Sequence, residues 1–354
     1  MRATLQTIRK YSAKGNAVAV ATIISASGSS PRAVGAKMVI ADDMQFSGSV
    51  SGGCVESAVI QEALQVMASG IPKLLFYGIT DSLAQSVGLA CGGEIEVWVE
   101  PIVDSPDKPG ISTDLLNVME QIVTEERSFL ILTFLEGKSA GQKTLYTEQG
   151  IQLLDNQTII FSEEALHLMQ QVFAQGQSQC TLIKQDDKET RLFAEYISPQ
   201  RRLIIIGAVH IAVALSKFAK ELGFTSIVID PRKAFATLER LSSADQIVKK
   251  WPEEALREIK LRATDCVAVI SHDEKIDIPA LNACLKSSVN YIGLLGSRKT
   301  RAERFNVLKQ QGVSEQDLER IHAPIGLDIG ARNPEEIALS IMAEIIHHQR
   351  ANTT

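Results

Sequence analysis

The run Ser47-Gly48-Ser49-Val50-Ser51-Gly52-Gly53-Cys54 brings a thiol to the start of a stretch whose apolar residues Val55, Val59, Ala63 and Val66 have helical spacing. A cysteine at a helix N-terminus sits where the positive end of the dipole favours a thiolate, so Cys54 reads as a nucleophile, a sulfur carrier or a soft-metal ligand. The plainer alternative is a small cysteine packed where glycines let two backbones meet. Cys91-Gly92-Gly93 repeats the cysteine-glycine theme, and Gly28-Ser29-Ser30-Pro31-Arg32 adds a small-residue loop with a guanidinium that can fork onto phosphate. Three such loops point to one anionic ligand, with the backbone around Gly52 and Gly53 and the Arg32 side chain as its binding groups. Neither cysteine pairs with a histidine at zinc spacing, so a metal at Cys54 and Cys91 would be a soft one held by thiolates.

A second set of residues belongs to nucleotide chemistry. Arg202 to Ile206 is an apolar strand that ends in Gly207, and Ile211 to Gly223 has helical spacing, which together make a first βα unit. Asp230 closes the next strand, where an acidic side chain can accept from ribose hydroxyls. The glycine fingerprint reads Gly207-Ala208-Val209-His210, with Val209 where backbone should approach a pyrophosphate. His210 and His272-Asp273 fall at carboxyl ends of strands, the edge at which open α/β sheets bind ligands, and His272 is the candidate acid or base. Gly296-Ser297-Arg298-Lys299-Thr300-Arg301 leads from a strand into a helix. Cations in a first helical turn cost about 0.3–1 kcal/mol each unless an anion sits beside them, so Gly296, Ser297 and Arg298 join the ligand-binding candidates. Asp328, in Gly326-Leu327-Asp328-Ile329-Gly330, reads either as a ligand contact or as a turn residue.

These residues need a folded scaffold, and the chain is long enough for two. Its 354 residues are 45% hydrophobic and 22% charged, which excludes a disordered, collagen-like or coiled-coil chain. A formal charge of −6 gives no global field for nucleic acid or anionic lipid. Arg2, Arg9, Lys10 and Lys14 ahead of the apolar run Ala17 to Ile24 mimic a secretory leader, but the alternation of Val18, Val20, Thr22 and Ile24 with alanines reads as a strand. No stretch approaches 18 apolar residues, and five cysteines without a C-x-x-C pair are too few for a disulfide scaffold. A cytoplasmic protein is expected.

The pattern of elements changes near residue 200. Residues 1–195 carry strand-like segments at 17–25, 35–41, 73–79, 94–100, 128–135, 143–147 and 180–184, with helices over Val55 to Met67 and Glu163 to Phe173, an α+β domain. Residues 200–354 alternate strand and helix, which predicts a Rossmann-like, doubly wound parallel sheet. The fold class is therefore α/β, an α+β domain followed by a Rossmann-like one.

Taken together, Gly28 to Arg32 with Gly35-Ala36-Lys37-Met38, Gly52-Gly53-Cys54-Val55-Glu56, Cys91-Gly92-Gly93, Gly207 to His210, His272-Asp273, Tyr291 to Arg301 and Ile321 to Ala331 resemble the XdhC/CoxI family of xanthine dehydrogenase accessory factors. Ser51 and Val209 stand where that family often has glycine. The resemblance implies a chaperone that binds molybdenum cofactor (molybdopterin or its dinucleotide), supports exchange of an oxo for a sulfido ligand, and delivers the cofactor to an apo molybdenum hydroxylase of the xanthine dehydrogenase type. On this resemblance Cys54 and Cys91 are the expected molybdenum-side thiolates, the implied upstream partner is a sulfur-donating cysteine desulfurase, and turnover is not required of the chain. The competing expectations are an oxidoreductase using NAD(P) on the C-terminal sheet, with Asp230 on the ribose, and an adaptor whose cysteines only pack. No nucleic acid and no membrane partner is expected, and a homodimer is the commonest assembly for such a chain.

Overall fold

The computed structural model describes residues 1–28, 32–78, 93–105, 107–152, 161–185 and 188–351. The loop carrying Cys91 and Gly92, and Ser29 to Pro31, lie outside the described residues. The chain forms two compact units, Met1–Pro199 and Gln200–Thr354.

The N-terminal unit runs α1 (Arg2–Ser12), β1 (Val18–Ser27), β2 (Lys37–Ala41), β3 (Phe46–Gly48), α2 (Glu56–Ser69), β4 (Lys73–Tyr77), β5 (Glu94–Val103), β6 (Ile111–Ser112) and α3 (Thr113–Thr124). It continues with β7 (Phe129–Phe134), β8 (Lys143–Thr147), β9 (Gly150–Gln152), α4 (Glu163–Gln175), β10 (Gln179–Gln185) and β11 (Lys188–Ile197). Two sheets result, ordered β3-β2-β1-β5-β4, with β6 beside β5, and β10-β11-β7-β8-β9. Alternation along each strand splits the core by face. On β1, Ala19, Ala21 and Ile23 pack under α2, while Val18 and Val20 meet α1 and α3. On β7, Phe129 and Ile131 join that second cluster, and Leu130, Leu132 and Phe134 turn to α4. The helices α1 and α3 are not expected from the sequence reading; the basic residues of α1 mask its buried Leu5, Ile8 and Tyr11.

Two buried ion pairs tie one sheet to the other. Lys143 of β8 lies 2.9 Å from Glu100 of β5 and donates to Thr133 Oγ1 at 2.8 Å; both charged side chains are almost fully buried. Lys37 of β2 reaches Glu195 of β11 at 2.9 Å and donates to Thr22 Oγ1. Both pairs and Trp98 line one small internal cavity, and Trp98 Nε1 has no hydrogen-bond acceptor among the described residues.

The C-terminal unit runs β12 (Arg202–Ile206), α5 (His210–Glu221), β13 (Thr225–Ile229), β14 (Gln246–Val248), α6 (Pro252–Ile259), β15 (Cys266–Val269), α7 (Glu274–Leu285), β16 (Tyr291–Leu294), α8 (Arg298–Gln310), α9 (Glu315–Leu318), β17 (Ile321–His322) and α10 (Pro334–Ala351). Its parallel sheet has the order β14-β13-β12-β15-β16-β17. Leu203 and Ile205 pack under α5 and α10, while Ile204 and Ile206 pack under α6, α7 and α8. Each such fully buried side chain contributes roughly 1.5–3 kcal/mol. A sheet covered on both faces is why these strands read as unbroken apolar runs. Arg202 is clamped at the amino edge by Asp265, at 2.8 and 2.6 Å, and by the Lys260 carbonyl. Among the described residues no helix is long and apolar enough to cross a membrane.

The Lys143–Glu100 pair is expected to be costly to half-remove. Glu100→Leu leaves an unpaired buried ammonium and should lose about 3–5 kcal/mol in urea unfolding at neutral pH, whereas Glu100→Leu with Lys143→Met should recover most of it. Burial already holds the Lys143 amine below its ordinary 10.5, Glu100 opposing that shift, so the deficit of the single variant should shrink as pH rises toward that value.

Candidate functional site

In the C-terminal unit the chain leaves β12 in one direction and β15 in the other, so the carboxyl ends of these two strands flank the crevice in which folds of this topology bind ligands. Gly207, at φ +109°, makes the turn out of β12; a Cβ there would stand 2.6 to 2.8 Å from Cα, N and Cβ of Ser271 at the end of β15. Glycine alone allows that contact. Val209 has extended angles, φ −81° and ψ 177°, that any residue adopts, and its side chain packs partly against the α5 side of the core. It caps α5 without a side-chain hydrogen bond, and His210 opens the helix exposed.

Asp230 is placed otherwise than the sequence reading expects. Its carboxylate is fully buried, accepting from Ala208 N–H (2.7 Å) and Arg232 Nη2 (2.7 Å) on Oδ2 and from the Arg232 backbone N–H and Nε (both 2.9 Å) on Oδ1. Burial pushes this carboxyl up, but the Arg232 guanidinium and the two amides outweigh burial and hold it below the usual range. Four acceptor positions are taken, so no oxygen remains for a ribose diol. Asp230 is a positioning residue: it fixes the Gly207-Ala208 turn and aims Arg232.

Across the crevice His272 is exposed at φ +61°, a left-handed conformation that costs a non-glycine residue energy and clusters at functional sites. It is held there by what flanks it. Ser271 Oγ donates to Asp277 at 2.5 Å, Asp277 receives Arg304 Nε at 3.3 Å, Arg304 Nη1 reaches Glu274 at 2.8 Å, and Asp273 caps α7 through Lys275 N–H. Burial raises the Asp277 carboxyl above its ordinary value despite Ser271 and Arg304.

The remaining candidates on this unit are divided between structure and exposure. Gly296, at φ +149°, leaves 2.8 Å between a hypothetical Cβ and the Thr300 side chain. Ser297 caps α8 by accepting from Thr300 N–H, so its hydroxyl is already engaged. Arg298 opens that helix exposed, Lys299 approaches Glu303 at 4.0 Å, and Arg301 lies over Phe305. Asp328 is exposed and accepts from Gly330 N–H at 3.3 Å, the geometry of a turn residue. Its loop is anchored by a residue the sequence reading missed, Glu344 of α10, which accepts from Gly326 N–H (2.8 Å) and Tyr291 Oη (2.6 Å) and lies 3.4 Å from His322 Nδ1.

In the N-terminal unit the small-residue loop surrounds an anion supplied by the chain itself. Glu56 Oε1 accepts from Ser49 Oγ and from the N–H groups of Val50, Ser51 and Gly52, at 2.7 to 3.1 Å. Oε2 accepts from Ser51 Oγ at 2.5 Å and Gly53 N–H at 2.8 Å. Ser51 Oγ in turn accepts from the N–H groups of Cys54 and Val55. The amides of Gly52 and Gly53, expected to face a ligand, face Glu56. Burial raises that carboxyl, but the hydroxyls of Ser51 and Ser49 and the loop amides overcome burial and bring it to about 2. Cys54 is half-buried against the α2 side of the core, and Arg32 is exposed. Cys91 falls outside the described residues, and among those described no three histidine, cysteine, aspartate or glutamate side chains gather as a metal site. The signal for the missed Glu56 is a serine and two glycines closing on a glutamate in the first helical turn.

Comparison with known proteins adds to this geometry. The family description "XdhC and CoxI family" matches residues 12–78, and "XdhC Rossmann domain" matches residues 203–345. A Bacillus subtilis (strain 168) protein, named as a probable component of xanthine dehydrogenase, is 31% identical over 338 residues, 94% of this chain and 93% of that one. The Escherichia coli (strain K12) protein named "Molybdenum cofactor insertion chaperone PaoD" is 25% identical, over 94% of this chain and 83% of that one. The crystal structure of a Bacillus halodurans protein, named as a xanthine dehydrogenase, superposes with a TM-score of 0.74 at 26% identity, covering 98% of this chain and 96% of that chain.

Two outcomes follow from the hydrogen bonds above. Because the Glu56 carboxyl is held below its ordinary 4.5, its stabilisation is complete above that pH and is lost as pH falls toward 2. Glu56→Gln should cost about 2–3 kcal/mol in denaturant unfolding at pH 7, and the gap from wild type should close across that acid window. His272→Gly relieves a left-handed residue and should raise stability by about 1 kcal/mol, read in the same assay, while removing the side chain from the crevice.

Proposed function

The chain belongs to the XdhC and CoxI family, and from that premise we propose that it binds molybdenum cofactor as cargo, supports its sulfuration and delivers it to an apo molybdenum hydroxylase of the xanthine dehydrogenase type. The observation that carries this reading is the match along nearly the whole chain, through both units, to a protein named as a molybdenum cofactor insertion chaperone. The cargo combines a phosphate with a soft metal–sulfur centre. For the sulfur side the chain offers Cys54, half-buried at the end of a loop that Glu56 and Ser51 hold rigid, and Cys91. For an anion it offers Arg32, Arg298 and the N-terminus of α5, which has no side-chain cap. The Glu56 nest is closed to phosphate while its carboxylate is charged.

An oxidoreductase using NAD is the weaker reading, because the buried and fully engaged Asp230 leaves its ribose diol without the acceptor that such sites provide. A cysteine desulfurase as sulfur donor and a homodimeric state are part of the proposal.

The test is to purify the full chain from molybdate-grown cells, assay bound pterin and molybdenum, and activate an apo molybdenum hydroxylase with it. Both pterin and metal should co-purify. Cys54→Ala and Cys91→Ala, each melting like wild type, should each lower activation by about tenfold or more, the loss expected when a transferring group and not a packing group is removed. Absence of pterin and metal together with no uptake in vitro, or full activation by both variants, rejects the proposal.

A further inference from the structure

At the end of the second strand of a nucleotide fold a carboxylate ordinarily accepts from a ribose diol. Here that carboxylate is consumed and a guanidinium takes its place at the surface. Arg232 gives Nε and Nη2 to Asp230, and its Nη1 has no acceptor among the described residues. The Arg232 side chain is 30% exposed while that of Asp230 is fully buried, so the pair presents only its cationic member. A buried carboxylate bound to four donors is a rigid mount, and it fixes the direction in which the remaining N–H groups point.

The same edge carries more of one kind of chemistry. Arg232 and Arg240 lie over the Phe235 ring, with Cζ 4.4 and 5.5 Å from its centroid, and Arg240 Nη1 donates to the Phe235 carbonyl. Lys233 is exposed in this loop. The neighbouring strand β14, whose Val248 carbonyl accepts from Asp230 N–H, continues into Lys249, exposed, and Trp251. Phe235 and Trp251 are 39% and 53% exposed, the exposed aromatic rings of Phe, Tyr and Trp among the described residues of this unit. Flat rings bordered by arginine forks fit a flat heterocycle and an oxyanion together. A solvated loop would account for the lysines, but not for a fully buried aspartate whose bonds hold a partly exposed arginine against one exposed ring, Phe235, on the strand edge that also carries Trp251.

We infer that the carboxyl edge of β13 and β14 is a binding site for a phosphate monoester joined to a flat, nitrogen-rich ring, with Arg232 and Arg240 taking the phosphate and Phe235 and Trp251 bordering the ring. Two sources share that chemistry, a nucleotide with a phosphate on its ribose and a phosphorylated pterin. The nucleotide source stands on the geometry of this edge alone; the pterin source rests also on the cofactor reading above.

Calorimetric titration of the full chain separates these outcomes. NADP⁺, which carries a monoester, serves as the nucleotide probe against NAD⁺, which does not; isolated molybdopterin is the pterin probe. For the nucleotide source NADP⁺ should bind at least about tenfold tighter than NAD⁺, and Arg240→Gln and Arg232→Gln should each erase most of that preference. For the pterin source the same two variants should weaken molybdopterin by about the same factor. Arg240→Gln leaves Asp230 paired, so it reports on binding even if Arg232→Gln disturbs the fold. If neither probe loses affinity in Arg240→Gln, or NADP⁺ and NAD⁺ bind alike and molybdopterin is indifferent to both variants, the inference is overturned. Hydroxylase activation is read separately, so it can persist when this site fails and can fail when this site binds.

Discussion

A buried carboxylate must find donors, and in each unit of this chain the backbone amides of a glycine turn supply them. Glu56 gathers four loop amides and two serine hydroxyls, and Asp230 gathers two amides and a bidentate arginine. Both carboxylates do inside the protein what a bound anion would otherwise do. The turns are thereby organised before any ligand arrives, and the side chains they carry, Cys54 in one case and Arg232 in the other, are held by a network and not left on free loops. Preorganisation of that kind lowers the ordering cost that binding must otherwise meet.

The parts of the fold that were legible in the sequence are those where one physical signal dominates. The strand Leu203 to Ile206 and the following helix were readable because a doubly covered sheet demands a continuous apolar run. Besides α1 and α3, some of the elements missed have narrow burial: α6 buries only Pro252, Ala255 and Leu256, and β14 is three residues with none fully buried. Along β11 the apolar signal is confined to the second half, from Leu192 onward.

The candidate site was legible in residue types but not in the direction those residues face. The sequence reading singles out Asp230 as a ribose acceptor, yet a carboxylate that serves a ligand and one that serves its own turn have the same sequence; the difference lies two residues on, at Arg232. Likewise the glycines before Cys54 mark a loop rich in donors, and the acceptor is the adjacent glutamate of the same motif. Val209 shows the opposite case. Its departure from glycine looks disruptive in sequence, but the backbone there is extended and its side chain has a place against the core.

The chain has two tryptophans, and they fall one to each unit. Trp98 is sealed among the charged pairs that join the two N-terminal sheets, while Trp251 stands in water at the edge of the C-terminal sheet. Indole emission shifts to longer wavelength as its surroundings become more polar, so the two rings colour the two halves differently. Denaturing the first half reddens and exposes a sheltered emitter, whereas loss of the second changes one already wet, which gives the molecule a built-in optical means of telling which half has come apart.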